Sequence, residues 1–393
     1  MQNAVLFLYF CANKNYTSMS HIDARIETNV ANPIPKIVRY WLLIGVVMVF
    51  FQVVIGGVTR LTDSGLSITE WKVIQGTLPP LNAAEWDEAF ELYKVAAKKQ
   101  FETLHADMTM SEFKVIFFWE YFHRLWARTM GFVFLFPFLF FVAKRFMGKG
   151  KMNHWMPGWM ARRLGVVILL AILAATFGWI MVASGLNDNT RTWVSAYKLV
   201  IHLSIATVLF GYLFWTWLRA QQPVTFDAHL GRMRKISWGI LVVLGIQIIF
   251  GGLMAGMRAG LLHPYFPLFV EGDRLMSAIT TEVDLSDFVN YEPSGYVKGL
   301  VHIVHRVTAY ILTAMIVWFF FQLRKENISD KLKFANAMLI RMLAIQFLLG
   351  VLTIVNCFGS VPIAYGAMHQ AGALILLVIV LFTNYQLVNR DIN

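Results

Sequence analysis

Eight apolar runs, each long enough to cross a bilayer, dominate this 393-residue chain and leave few folds open to it. They fall at roughly 37–58, 115–142, 164–186, 194–218, 236–258, 298–321, 335–356 and 362–388. A span needs about 20 mostly apolar residues, because the hydrocarbon core is about 30 Å thick and a helix rises about 1.5 Å per residue. Within that core every backbone N–H and C=O must find a partner inside the chain, so runs of this length become helices. The sequence therefore predicts an all-α polytopic membrane protein with eight transmembrane helices. Composition agrees, since 58% of the residues are hydrophobic and only 15% are charged. An ordinary soluble domain is excluded.

A net charge of +11 would suggest a nucleic-acid partner in a soluble protein, but here the cations collect in particular loops. The loop 143–163 holds six basic residues (Lys144, Arg145, Lys149, Lys151, Arg162, Arg163) and no acid, whereas 259–297 holds one basic residue against six acids. The positive-inside rule then places both termini on the cytoplasmic or matrix side and the long loops 59–114 and 259–297 outside. No nucleic-acid partner is expected. Cys11 and Cys357 fall on opposite sides in this topology, which argues against an internal disulfide. The apolar stretch from Ala4 to Ala12 is too short to span and lacks a small-residue cleavage site, and Met19 is a second candidate start. Within the first outer loop, Trp86, Phe90, Tyr93, Ala97 and Phe101 recur at helical steps and predict an amphipathic helix over 83–103.

The chain repeats itself. Gln52, Gly56, Gly57, Gly65 and Leu66 match Gln247, Gly251, Gly252, Gly260 and Leu261 at a constant offset of 195. His123-Arg124 matches His305-Arg306 at 182, and His202 matches His369 at 167, the offset shrinking with shorter loops in the second half. The expected organisation is a terminal segment 1–36, a first four-helix half 37–218, a linker 219–235, a second half 236–388 and a tail 389–393. Four helices per half give both halves one orientation, related by a pseudo-twofold axis along the membrane normal.

Ionisable groups inside a bilayer are costly and usually face a protein interior with work to do. His123, His202, His305 and His369 lie about 11 Å below the outer surface at 1.5 Å per residue, two to each half. Two imidazoles facing each other in a four-helix core make a natural axial pair for a haem iron. A lone membrane histidine is more often a packing residue or a proton-relay member; four at matched depth favour haem. Zinc is disfavoured by the lack of a cysteine cluster. His21, His105, His154, His229 and His263 fall in loops and are expected to be solvated.

Glu120 is the one acidic residue inside a predicted span, three before His123. It is either an ion-pair partner for Arg124, four residues on, or a general acid/base beside the first-half iron. Its repeat counterpart is His302. Arg60, Arg124, Arg128, Arg258 and Arg306 lie at or near outer ends of spans, fit either to anchor at the interface or to hold carboxylates such as haem propionates. Gly56-Gly57 and Gly251-Gly252 permit close helix approach or room for a flat ligand, each a weak signal taken alone.

The string Gly56-Gly57-Val58-Thr59-Arg60-Leu61-Thr62-Asp63-Ser64-Gly65-Leu66-Ser67, with Thr69-Glu70-Trp71 and Leu78-Pro79-Pro80 after it, resembles the first-loop signature of the haem A synthase family. Glu120-Tyr121-Phe122-His123-Arg124 is similar to that family's second-helix motif, and His202, Val304-His305-Arg306 and Met368-His369-Gln370 stand where its other histidines are expected. The resemblance covers about residues 37 to 388 and is to the mitochondrial and proteobacterial type with a long first outer loop.

It implies an oxidoreductase of the bacterial cytoplasmic or mitochondrial inner membrane. Such an enzyme converts haem O into haem A for cytochrome oxidase, oxidising one methyl group to a formyl in two steps. It implies that His305 and His369 hold a haem b cofactor, that His123 and His202 receive the haem O substrate, and that Glu120 takes part in catalysis. The electron donor is not identified, and a farnesyltransferase that makes haem O is an implied neighbour. Some members carry a cysteine pair in the first outer loop; this chain does not. Two other readings stand beside this one. A dihaem subunit passing electrons from quinol explains the histidines but not the Glu120/His302 asymmetry, and a tandem-repeat transporter with a proton relay needs no haem.

Overall fold

Each apolar run becomes one helix in the computed structural model, which describes residues 34–70, 77–147, 155–186, 191–221, 227, 229–267 and 274–387. The expectations for Ala4 to Ala12, Cys11, Met19, His21, Trp71, His154 and the tail 389–393 lie outside the described residues. The spanning helices are α1 (Lys36–Leu61), α4 (Met110–Met147), α5 (Gly158–Ala183), α6 (Ala196–Gln221), α7 (Gly231–Gly256), α10 (Gly295–Leu323), α11 (Asp330–Val355) and α12 (Ile363–Leu387). All eight are long and apolar enough to cross a membrane. Several run past their apolar stretch at one end. α7 begins at Gly231 rather than 236, and α10 at Gly295 rather than 298, where Ser294 accepts from Val297 N. Helical hydrogen bonding continues through polar residues that hydropathy alone leaves out.

The same pairings recur in both parts of the bundle. α1 packs on α4 and α6, and α5 on α6; likewise α7 packs on α10 and α12, and α11 on α12. α6 against α7, α1 against α12, and α6 against α12 join the two sets. A large buried cluster lies away from the long loops, where Trp41, Phe210, Phe214, Trp217, Phe382 and Tyr385 are buried together.

At the other end, small residues bring helices close. A methyl group on Gly256 would fall 2.8 Å from the Ala196 Cβ. A polar clasp lies beside this contact. Arg60 donates to the carbonyls of Ala255 (3.2 Å) and Gly256 (3.0 Å), and Arg258 donates to the Asp63 carboxylate. Asp63 and Arg258 both take left-handed backbone, with φ of 57° and 52°.

The long loop between α1 and α4 folds, in its described part, as a cap. Instead of one amphipathic helix over 83–103, there are two, α2 (Ala83–Ala96) and α3 (Lys98–Leu104), broken at Ala97. The break turns Phe101 edge-on to Tyr93, 6.1 Å between ring centres, and brings the Gln100 carbonyl within 3.2 Å of the Tyr93 hydroxyl. Phe90, Tyr93 and Ala97 pack with Phe113 and Phe117 of α4, so the apolar stripe read from the sequence does bury itself. Two short helices, α8 (Arg274–Ile279) and α9 (Leu285–Val289), form part of the second long loop.

His105 is not simply solvated. Its Nδ1 lies 2.5 Å from the Tyr93 hydroxyl, and burial lowers its pKa below the ordinary histidine value. A folded-state value below the unfolded one, about 6.5, gives stability that is present above that pH and lost as pH falls through it. The melting temperature in detergent is expected to fall between pH 7 and pH 5 in the parent protein, and to fall less in His105→Gln. At the helix contact, Gly256→Val is expected to cost about 1–3 kcal/mol by overpacking. Gly131→Val, on α4 with no neighbour within 4 Å of its built Cβ, should leave the melting temperature unchanged.

Candidate functional site

Each of the four membrane histidines leans on a glycine of an adjacent helix. A methyl group on Gly56 of α1 would lie 3.0 Å from Nε2 of His123 on α4, and one on Gly178 of α5 would lie 3.0 Å from Cε1 of His202 on α6. In the second set, Gly251 of α7 faces His305 of α10 (3.3 Å), and Gly350 of α11 faces His369 of α12 (3.0 Å). A side chain at any of these positions would take the space the ring occupies. Gly56 and Gly251 were legible as members of the repeat. Gly178 and Gly350 were not singled out, although they match at an offset of 172, between those of the flanking histidines.

The rings are oriented by different groups in the two halves. His202 donates from Nδ1 to the Ala174 carbonyl at 2.8 Å, which leaves Nε2 with a lone pair for a metal. In the second half the residue at the matching place is Gln346, whose Nε2 lies 3.1 Å from Nδ1 of His369 and 3.0 Å from its carbonyl. Gln247 sets its amide nitrogen 3.2 Å from Nδ1 and 3.3 Å from Nε2 of His305, while Thr308 donates to its carbonyl. Its counterpart Gln52 donates instead to the backbone carbonyl of His123, at 3.3 Å.

The His305 and His369 ring centres are 6.5 Å apart. Two metal–imidazole bonds of about 2 Å each set ring centres roughly 6 Å apart, so these two residues have the spacing that would let both hold one iron. All four histidines are half-buried. His123 lies further from the start of α4 than His202 does from the start of α6, because α4 begins several residues before its apolar run.

Glu120 is 3% exposed and fully engaged. Its carboxylate accepts from Arg124 (2.5 Å), from the Ser67 hydroxyl (2.8 Å) and from the Ile68 amide (2.9 Å). Arg124 also donates to the carbonyls of Ile68 (2.9 Å) and Glu70 (3.2 Å). Together they fasten residues 67–70 to α4. The ion pair foreseen as an alternative is therefore present, and its added partners on the loop are what the sequence did not reveal.

The second half has a similar fastening with different chemistry. Nδ1 of His302 is 3.2 Å from the Ala259 carbonyl, and Arg306 donates to the carbonyls of Tyr265 (3.5 Å) and Pro267 (2.8 Å). His263, expected to be solvated, is 0% exposed, because this fastening folds it under the loop with its ring 5.7 Å from that of His302. Arg60 serves the clasp with α7, and Arg128 lies half-buried on α4 one turn beyond Arg124.

Residues 39–381 match the family COX15-CtaA, cytochrome oxidase assembly protein. The chain is 38% identical to "Heme A synthase" of Flavobacterium psychrophilum over 348 residues, covering 88% of this chain and 97% of that protein. It is 36% identical to the protein of the same name from Flavobacterium johnsoniae, with 90% and 98% covered. For Nitrosospira multiformis "Heme A synthase" the identity is 35%, with 92% and 96% covered.

Arg124→Ala leaves the Glu120 carboxylate buried without its cation, a change expected to cost about 3–5 kcal/mol. Glu120→Gln keeps acceptors for Ser67 and Ile68 and is expected to cost less. Thermal melting in detergent, with limited proteolysis of the 64–70 segment, checks both the order and the place of the loosening.

Proposed function

This chain belongs to the COX15-CtaA family of cytochrome oxidase assembly proteins, and from that premise we propose that it is a haem A synthase. It is an integral membrane oxidoreductase that takes haem O and oxidises its methyl group in two steps to the formyl of haem A. The observation that carries this reading at the site is the recurring histidine-on-glycine arrangement, two histidines to each half. The halves, 37–218 and 236–388, are related by a pseudo-twofold axis along the membrane normal, with both termini on the cytoplasmic or matrix side.

In this reading His305 and His369 hold a haem b, and His123 and His202 receive haem O. When bound, the irons supply one-electron chemistry and the oxidation of the methyl group by dioxygen. The residues supply the rest. Gln247 and Gln346 fix the second-half rings, and the Ala174 carbonyl fixes the tautomer of His202. Glu120 holds residues 67–68 over the first site and is the proton-exchanging group beside His123. Arg60, Arg124 and Arg306 each use part of their five donors on this chain. With Arg128, at the same ends of the spans, they serve the haem propionates. Haem O arrives from a farnesyltransferase in the same membrane, and electrons come from an external donor.

The test is haem content and conversion in a host that makes haem O and has no other source of haem A. The purified parent is expected to carry haem B together with haem O, its hydroxylated form or haem A. His305→Ala is expected to lose haem B, and His123→Ala to keep haem B but form no haem A. Haem B retained in both His305→Ala and His369→Ala would overturn the second-half assignment. Two haem B per chain without conversion would instead indicate a dihaem electron-transfer subunit.

A further inference from the structure

Arg341 is a charge on the wrong face of a spanning helix. It lies on α11 six residues past the start of the apolar run at 335, roughly 9 Å into it at 1.5 Å per residue. Leu332, Ala335, Leu339, Met342 and Leu343 form the buried side of α11. At about 3.6 residues per turn, Arg341 points almost directly away from Leu332, Leu339 and Leu343. It is exposed, and its neighbours on that outward face, Ile345 and Leu348, are exposed too. Among the described residues, no hydrogen bond, ion pair or ring contact engages its guanidinium. A cation facing hydrocarbon is costly unless an anion or water reaches it.

What the guanidinium meets is set by the direction of the helix. A helical side chain leans toward the N-terminus of its own helix and covers the turn before it. For α11 that is the end joined to α10 through residues 324–329, opposite the long loops. Ala337, one turn earlier, is small and leaves the arginine stem room to lie along the helix. At that end Arg324, Lys325, Lys331 and Lys333 stand against Glu326 and Asp330, and Asp330 is already paired with Lys333 at 3.1 Å. With Arg341 the surroundings are strongly cationic. The first half is different at the matched place. At the offset of 172 that relates Gly178 to Gly350, the counterpart of Arg341 is Leu169, an exposed apolar residue of α5. The frame common to both halves therefore does not require this charge.

We propose that α11 carries a binding site for the phosphate of an anionic membrane lipid, held by Arg341 from the hydrocarbon side of the headgroup layer. A guanidinium presents its donors in a fork that matches two phosphate oxygens. Its stem lies along the acyl region while its head reaches the level of the phosphate. The surplus of cations over residues 324–333 favours a headgroup with no cation of its own, as in phosphatidylglycerol, over phosphatidylcholine. The site is independent of the haem assignment proposed above.

The experiment uses the full chain in nanodiscs of phosphatidylcholine alone or mixed with phosphatidylglycerol. Thermal melting is followed in both, and native mass spectrometry counts the phosphatidylglycerol retained after extraction into detergent. The parent is expected to melt higher in the mixed discs and to retain one more phosphatidylglycerol than Arg341→Leu. Arg341→Leu, which installs the residue of the first half, and Arg341→Gln, which removes the charge but keeps a polar side chain, are both expected to lose most of that gain. In phosphatidylcholine alone, Arg341→Leu is expected to melt no lower than the parent, because an uncompensated charge has left the hydrocarbon. Arg232→Leu removes an exposed cation at the start of α7, at the same end of the bundle, and is expected to keep both the gain and the lipid. Arg341 variants that keep them would overturn the site. An equal loss in Arg232→Leu would also overturn it, by reporting surface charge alone. So would inorganic phosphate reproducing the gain in phosphatidylcholine discs, since the ligand would then be a free anion. A parent that melts alike in both discs, with Arg341→Leu lower in each, would show that Arg341 supports the fold rather than a lipid, and the proposal would fall.

Discussion

A carboxylate sealed among apolar helices must be given its partners by the chain itself, and the long-loop face of this protein is arranged around how that is done. Glu120 takes three donors: one from its own helix, one from a serine and one from a backbone amide of the loop that follows α1. Meeting that requirement forces residues 67–70 down onto α4 directly above the turn that carries His123. The cap of α2 and α3 then has a fixed floor on which to pack Phe90 and Tyr93. The second half meets the same demand with an imidazole and a guanidinium holding loop carbonyls. The geometry is retained while the charge of the inner group is changed.

That pattern, a common frame with different side chains at matched points, runs through the site. Ala174 and Gln346 stand at equivalent places, as do Gln52 and Gln247, Leu203 and Gln370, and Glu120 and His302. None of these differences disturbs the glycine contacts that seat the four rings. Helices packed through glycine leave little freedom in how far apart they sit. The chemistry of each half is therefore set by a few polar groups around a fixed ring position, with side-chain glutamine amides on the histidine rings of the second and a carboxylate in the first.

The spans were legible because hydropathy over some 20 residues is a strong signal when water is absent. Helix ends were less so, since Gly231 and Gly295 start helices on hydrogen-bond geometry that apolar content does not encode. The cap helix was found from Trp86, Phe90 and Tyr93, but its break at Ala97 depends on Phe101 and Gln100 turning back to Tyr93. Glu120 stood out as a lone acid in a span, yet its bonds to Ser67 and Ile68 join residues more than fifty positions apart. His263 was misread for a related reason, because a histidine in a loop reads as solvated until the loop is seen to be folded under. Periodicity reports which face a residue occupies, not which distant loop lies over it.

The contact between Asp63 and Arg258 has a meaning beyond its strength. The two residues occupy equivalent places in the repeat, 195 apart, and share the same unusual backbone. Residues that touch their own counterparts lie where the two halves meet face to face. If either half paired with a copy of itself through this surface, Asp63 would meet Asp63, or Arg258 would meet Arg258. Like charges in a half-buried seam repel, so self-association is penalised and only the unlike pairing is favoured. The clasp thus acts as a discriminator of assembly.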